Sequence, residues 1–250
     1  MKTMELNTLV RELEERQHHG VRRDLKNGIW RLTVWGSYKL KRAVDVVASG
    51  LGMALLSPLF VGIALAVRLT SPGPAFFSQV RVGRFGRHFK FYKFRSMYVD
   101  AEARKAALMA QNESKDGVIF KMKNDPRITP VGRFLRRTSL DELPQLFNVF
   151  IGDMSLVGPR PLPIRYLPRY TPEQARRHEV RPGVTGLAQV NGRNALDWDE
   201  KFRYDVAYVD SHSFAGDLKI LAQTFLQCLR PRGISHPGEA TMREFGEADR

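Results

Sequence analysis

The strongest constraint on this chain is a run of 22 positions, 46–67, that contains no charged residue. As one straight helix it would measure about 33 Å, long enough to reach across a bilayer. It starts too far from the N-terminus, and lacks the small-residue cleavage site, to be a removable signal. A helix wholly buried in a core would show the same composition. Ser57-Pro58 lies at its centre. Proline there removes a backbone donor and clashes with the preceding turn, while a serine hydroxyl can occupy the freed carbonyl. A sharp break at mid-depth is therefore expected. Lys39, Lys41 and Arg42 flank one end, and Arg68, Arg81, Arg84 and Arg87 follow the other, so charge sets no inside–outside direction. A helix that enters, turns at Pro58 and leaves by the same face accounts for that symmetry. A simple span does not.

The charge balance extends the same reading. Forty basic against 26 acidic residues among 250 give +14, which calls for an anionic partner: nucleic acid, an anionic bilayer surface or a phosphorylated substrate. Trp30, Trp35 and Tyr38, interleaved with Arg31, Lys39, Lys41 and Arg42, fit an aromatic and basic collar at a membrane surface, or a set of packing aromatics. The one cysteine, Cys228, excludes an internal disulfide, and the lack of a Cys/His cluster argues against structural zinc. Ahead of the collar, Leu6, Leu9, Val10 and Leu13 recur at helical spacing. That stripe suits a helix packed on the body, one paired with a second copy in a homodimer, or a poorly ordered appendage.

Beyond the apolar run, Ser71-Pro72-Gly73-Pro74 is a stop. Residues 75–82 and 88–95 read as strands around Gly83-Arg84-Phe85-Gly86, a hairpin. Alternation puts Phe89, Phe91, Lys93 and Arg95 on one face of the second strand. Its two cations suit either phosphate or solvent. Residues 131–137 set Val131, Phe134 and Leu135 against Arg133, Arg136 and Arg137, as in a helix lying in a bilayer interface or a basic helix on a core.

Next comes Arg136-Arg137-Thr138-Ser139-Leu140-Asp141-Glu142-Leu143-Pro144. Proline predicts a helix starting close to the two carboxylates, where free N–H groups favour anions. Arginine forks beside a carboxylate nucleophile are what phosphoryl transfer requires, because that chemistry is mostly positioning and charge neutralisation. Ser139-x-x-Glu142 also fits a capping box, in which Glu142 would bond back to the Ser139 N–H. Both roles can coexist.

Gly158-Pro159-Arg160-Pro161 holds its arginine stiffly, which suits anion binding or a structural turn. Thr171-Pro172 opens a helix. The segment 181–194, with Gln189 and Arg193, is rich in glycine, amides and arginine and suits a polar ligand. Residues 197–210 are amphipathic through Trp198, Phe202, Val206 and Val209, and Leu218, Leu221, Phe225 and Leu229 form a further apolar face. From Pro231 the tail is polar and expected to be mobile.

Taken together, these blocks resemble the bacterial sugar transferases, the monotopic phosphoglycosyl transferases of polysaccharide assembly. The resemblance runs from about Tyr38 to Arg230 and rests on Lys41-Arg42-Ala43-Val44-Asp45, Ser57-Pro58, Lys93-Phe94-Arg95-Ser96-Met97, the segments 139–146 and 152–161, and 181–194. It implies transfer of a sugar 1-phosphate from a UDP-sugar to undecaprenyl phosphate, with Mg²⁺. By resemblance, Asp141 is the nucleophile and Glu142 its partner acid, and Asp141 is also the expected Mg²⁺ ligand. Arg136 and Arg160 match the phosphate site, Lys93 and Arg95 a basic strand-end motif of the substrate site, Gln189 and Arg193 the nucleotide end, and Asp205 a carboxylate of unspecified role.

The expected fold is mainly α with a small β-hairpin, one broken re-entrant membrane helix, interfacial amphipathic helices and a cytoplasmic catalytic domain. The expected divisions are a charged helical extension at 1–37, the membrane helix at 38–70, the catalytic domain at 71–230 and the tail at 231–250. The expected location is the bacterial inner membrane, with membrane lipid as a partner. A membrane-tethered nucleic-acid binder or a scaffold would explain charge and anchor, but not Asp141-Glu142 among arginines; no nucleic-acid partner is expected.

Overall fold

In the computed structural model, residues 38–108, 125–192 and 195–229 are described. The expected N-terminal helix, Arg193 and the polar tail lie outside them. Packing divides the chain after Ala43, so the first described helix begins in the first unit and every later element lies in the second.

The apolar run forms two helices, α1 (Tyr38–Leu55) and α2 (Ser57–Thr70), bent by 62°. The cause is local. Pro58 cannot donate to the Ala54 carbonyl, and Ser57 Oγ donates to it instead at 2.8 Å. Bonds from Leu56 N to the Gly52 carbonyl and from Phe60 N to the Leu56 carbonyl keep the chain helical on both sides. Among the described residues no single helix is long and apolar enough to cross a membrane; the bent pair together is.

One stripe of α2 faces the body. Phe60, Ile63, Ala64 and Val67 pack with Phe94, Val131, Leu135, Leu140 and Leu143. The opposite side leaves Leu59, Val61, Leu65 and Leu69 exposed, Leu69 by 87%. The buried Asp45 ties α1 to the same body: its Oδ1 accepts from Ser155 Oγ and from Leu156 N at 3.1 and 2.9 Å.

The hairpin forms as expected, with β1 (Phe76–Val82) antiparallel to β2 (His88–Phe94) around a 3-10 turn at Arg84–Gly86. Then come α3 (Ala101–Leu108), α4 (Pro130–Thr138) and α5 (Gln145–Ile151). Helix α5 is fixed to the strand by Asn148, which accepts from Tyr92 N and donates to the Lys90 carbonyl. In effect a side chain amide occupies part of the edge of β2.

A second, parallel pair, β3 (Ser155–Val157) and β4 (Gly183–Thr185), was not expected. A Cβ on Gly183 would lie 2.1 Å from Gly158 N, and one on Gly158 would lie 2.4 Å from the Arg181 carbonyl oxygen. Glycine at both positions lets the two backbones touch at the root of the loop that carries Arg160.

The last helices are α6 (Pro172–Ala175), α7 (Leu187–Val190), α8 (Trp198–Ser211) and α9 (Phe214–Leu229). Thr171 and Asp197 cap α6 and α8 in capping boxes with Gln174 and Glu200. Of the expected α9 face, Leu221 packs on the core beside Ile220, while Leu218 and Phe225 are exposed and Asp217 is buried. Polar partners decide the orientation. Tyr208 Oη donates to Asp217 at 2.8 Å, Thr224 meets Thr185 at 2.7 Å, and Gln227 donates to the Val190 carbonyl. The fold is thus mainly helical with a small antiparallel hairpin and one bent helix pair.

Candidate active site

Asp141 and Glu142 occupy a 3-10 turn, Leu140–Glu142, between α4 and α5, rather than the start of a longer helix. Ser139, at φ 58°, ends α4 in the left-handed conformation and redirects the chain. Residues three apart eclipse in a 3-10 turn. Leu140 and Leu143 therefore lie on one side, packed on the α2 cluster. Asp141 and Glu142 are left on the other. The Ser139–Glu142 capping box does not form: Ser139 makes no side-chain cap bond, and both Glu142 oxygens are taken by cations.

Lys93 Nζ donates to Glu142 Oε1 at 2.7 Å and lies 3.7 Å from Asp141 Oδ2. Arg160 clasps Glu142 with both terminal nitrogens, at 2.5 and 3.2 Å, a bidentate fork. Burial would raise the Glu142 carboxyl, but Arg160 and Lys93 outweigh it and hold it well below the usual carboxylate range. Asp141 goes the other way. Burial raises its carboxyl, with Glu142 adding repulsion, against Lys93, Arg136 and Arg160. The pair is split into one carboxylate fixed as an anion and one less committed to its charge.

Arg136 reaches the same region from α4, its Nε donating to Ser96 Oγ at 2.8 Å. A Cβ on Gly132 would fall 1.9 Å from the Ser96 carbonyl oxygen, so only glycine lets α4 approach this closely.

Lys93, Arg136, Arg160, Asp141 and Glu142 are thus brought together. Arg95 is not. Strand β2 ends at Phe94, so period-2 alternation does not carry to Arg95. Its guanidinium donates to the carbonyls of Ser71 and Pro72, each at 2.6 Å, where the chain leaves α2. Asp205 stands one link back. It is buried against Arg177, whose Nε and Nη2 donate to its Oδ2 at 3.0 and 2.7 Å, and Arg177 Nη2 also donates to the Arg160 carbonyl at 2.7 Å. Asp205 thereby positions the backbone that carries Arg160. Gln189 lies on α7 with Oε1 against Gly186, near the root of that loop.

Arg177 and Arg81 are the residues sequence reasoning missed. The one sign of Arg177 was Asp205 itself, a carboxylate on the buried stripe of α8 that needs a partner. Arg81 shares a strand face with Lys93 through the hairpin register, which sequence could not fix.

The profile described as bacterial sugar transferase matches residues 36–231. The chain belongs to the bacterial sugar transferase family. Sugar transferase EpsL of Bacillus subtilis is 45% identical over 206 residues, 82% of this chain and 95% of that one. The undecaprenyl-phosphate galactose phosphotransferase of Salmonella typhimurium is 45% identical over 200 residues, 78% of this chain and 41% of that protein. The UDP-glucose:undecaprenyl-phosphate glucose-1-phosphate transferase of Klebsiella pneumoniae is 46% identical over 192 residues, 74% of this chain and 39% of its own length. This sugar transferase therefore covers nearly all of EpsL but about two fifths of those two longer relatives.

Proposed function

We propose that this sugar transferase moves a hexose 1-phosphate from a UDP-sugar to undecaprenyl phosphate, starting exopolysaccharide or O-antigen assembly. The observation that carries the reading is the asymmetry of the carboxylate pair. Both Glu142 oxygens are engaged by Lys93 and Arg160, whereas Lys93 stands 3.7 Å from Asp141, so Asp141 is the member left to act. The names of the Salmonella and Klebsiella relatives, which specify undecaprenyl phosphate and galactose or glucose, support it.

In the first step an Asp141 carboxylate oxygen attacks the sugar-bearing phosphorus. The P–O bond to the nucleotide breaks, and UMP leaves with its electron pair. In the second step an oxygen of undecaprenyl phosphate attacks the same phosphorus, the bond to Asp141 breaks, and the carboxylate is restored. Lys93, Arg136 and Arg160 offset the donor's negative charge, without which the carboxylate would be repelled. Glu142, held ionised, orients Lys93 and Arg160 rather than shuttling a proton.

Mg²⁺ is commonly bound by one or two carboxylates together with substrate phosphates rather than by a protein cage. The residues fit that mode: Asp141 is available for it, and among the described residues no group of three acidic, His or Cys side chains forms a cage. Asp141 and the donor's phosphate oxygens would hold the ion, which supplies charge neutralisation when bound.

The bent pair is read as re-entering the inner membrane from the cytoplasmic face, with Leu55, Leu69 and the exposed Phe134 of α4 toward lipid. The site then lies where a water-soluble donor and a bilayer-bound acceptor can meet. Single cysteines on either side of Ser57-Pro58, in a Cys228→Ser background, label from the same side on this reading; labelling from opposite sides contradicts it. For the reaction, membrane-embedded protein is offered a panel of UDP-sugars with Mg²⁺ and undecaprenyl phosphate. Lipid-dependent UMP release with one sugar, lost in Asp141→Asn, is expected. No release with any donor would overturn the function.

A further inference from the structure

Arg81 has no part in the scheme above, yet the hairpin delivers it to the same place. Directly paired residues in an antiparallel ladder project to one face. The register pairs Phe77 with Lys93, Gln79 with Phe91, and Arg81 with Phe89. The face carrying Lys93 therefore also carries Arg81. The two cations share one aromatic ring: Arg81 Cζ lies 5.5 Å and Lys93 Nζ 5.4 Å from the Phe91 centroid. On its other side Arg81 bridges Pro163, three residues beyond Arg160.

Its hydrogen bonding is incomplete. Among the described residues Nη2 donates to Gln79 Oε1 at 2.7 Å, and the buried Nε has no partner. The nearby carboxylate, Glu142, is engaged by Lys93 and Arg160 instead. Burial, then repulsion from Arg160, brings the Arg81 guanidinium down to about 10, still charged at neutral pH. Burial and Arg160 likewise bring Lys201 down to about 8. Cations crowded together with a buried donor left over define a receptor that an anion completes.

We propose that Arg81 is a substrate-binding residue that donates to a phosphate oxygen, as a further fork beside Arg160 and Lys93. This rests on the sugar-phosphate reading of the site. The phosphate could belong to the nucleotide donor or to the lipid acceptor, and the two are separable.

Binding of UMP and UDP, and separately of undecaprenyl phosphate, is measured by calorimetry on wild type and Arg81→Gln protein in lipid nanodiscs. KM and kcat are measured for both substrates alongside. Loss of one charged hydrogen bond is expected to weaken the phosphate ligand about tenfold and raise the matching KM similarly, with kcat changed far less. Weakened UMP and UDP binding assigns Arg81 to the donor; weakened lipid-phosphate binding assigns it to the acceptor. If both constants match wild type, the proposal is overturned, even where wild type turns over normally. If wild type turns over no donor, the reaction fails while the binding comparison still decides Arg81. Arg81→Lys, which keeps stem and charge, replaces Arg81→Gln if the latter does not fold; it should fall between wild type and full loss, and unchanged binding there also overturns the proposal.

Discussion

Glu142 and Asp205 are both carboxylates clasped by an arginine, but the two clusters are completed differently. The Asp205 and Arg177 side chains are only 5% and 3% exposed, and Arg177 spends its other donors on the Arg160 carbonyl and the Tyr170 hydroxyl. That pair is closed and saturated. Around Glu142 the Arg160 side chain is 43% exposed, and Lys93, Arg136 and Arg81 crowd two carboxylates. This cluster has donors to spare. The same chemistry fixes a loop in one place and leaves donors unspent in the other, and what separates them is whether every donor already has its acceptor.

The most severe break is at Asp141. Asp141→Asn is expected to cut lipid-dependent UMP release by at least about 10³-fold. Stability should not fall with it. A carboxyl whose folded value is raised destabilises the folded state at pH above that value, so removing its charge leaves the unfolding midpoint unchanged or higher. Denaturant unfolding alongside the assay checks both halves.

The closed pair should behave in the opposite way. Asp205→Asn leaves Arg177 buried and uncompensated and should cost about 3–5 kcal/mol of unfolding free energy. A joint Arg177→Met, Asp205→Leu replacement should recover much of that stability. It should not restore full activity, because the Arg160 carbonyl still lacks its donor.

Glu142→Gln sharpens the contrast through pH. It removes a like charge from beside Asp141 and frees Lys93 and Arg160 to face it. Both effects lower the Asp141 pKa, so the acid limb of kcat/KM, set where Asp141 must ionise, should move to lower pH. A limb that stays put or moves upward would contradict the coupling. Turnover should also drop, by about 10- to 100-fold, as the two cations lose their shared anchor.

The smallest effect on activity belongs to Arg95. Arg95→Ala removes two donors from the Ser71 and Pro72 carbonyls and should cost about 1.5–3 kcal/mol. KM for the UDP-sugar should stay near the wild-type value. A tenfold rise in that KM would return Arg95 to the phosphate site.

Much of this was readable from residues. The bend was written in Ser57-Pro58 because its cause is local, and the Ser57–Ala54 bond satisfies the very carbonyl that proline leaves. The hairpin followed from turn chemistry, and the gathering of Lys93, Arg136 and Arg160 near the carboxylates was expected from resemblance. What failed to show depends on tertiary contact. Three-residue strands such as β3 and β4 carry no periodic signal. Arg95 follows alternation only if the strand continues, and it stops one residue short. Glu142 fits a capping box by spacing, yet Lys93 and Arg160, 49 and 18 residues away in sequence, claim it. Apolar spacing in α9 finds Leu221 but cannot show that Tyr208 and Thr185 meet Asp217 and Thr224 across the core.

On the proposed reaction, Asp141 carries the sugar phosphate between two substrates. The most direct test mixes enzyme and UDP-sugar without undecaprenyl phosphate, then examines the peptides by mass spectrometry after a rapid acid quench. At most one UMP released per enzyme is expected, with a hexose-phosphate adduct on Asp141 that is absent from Asp141→Asn and discharged on adding the lipid. UMP release only when lipid is present, with no adduct at any time, would contradict it and indicate direct transfer.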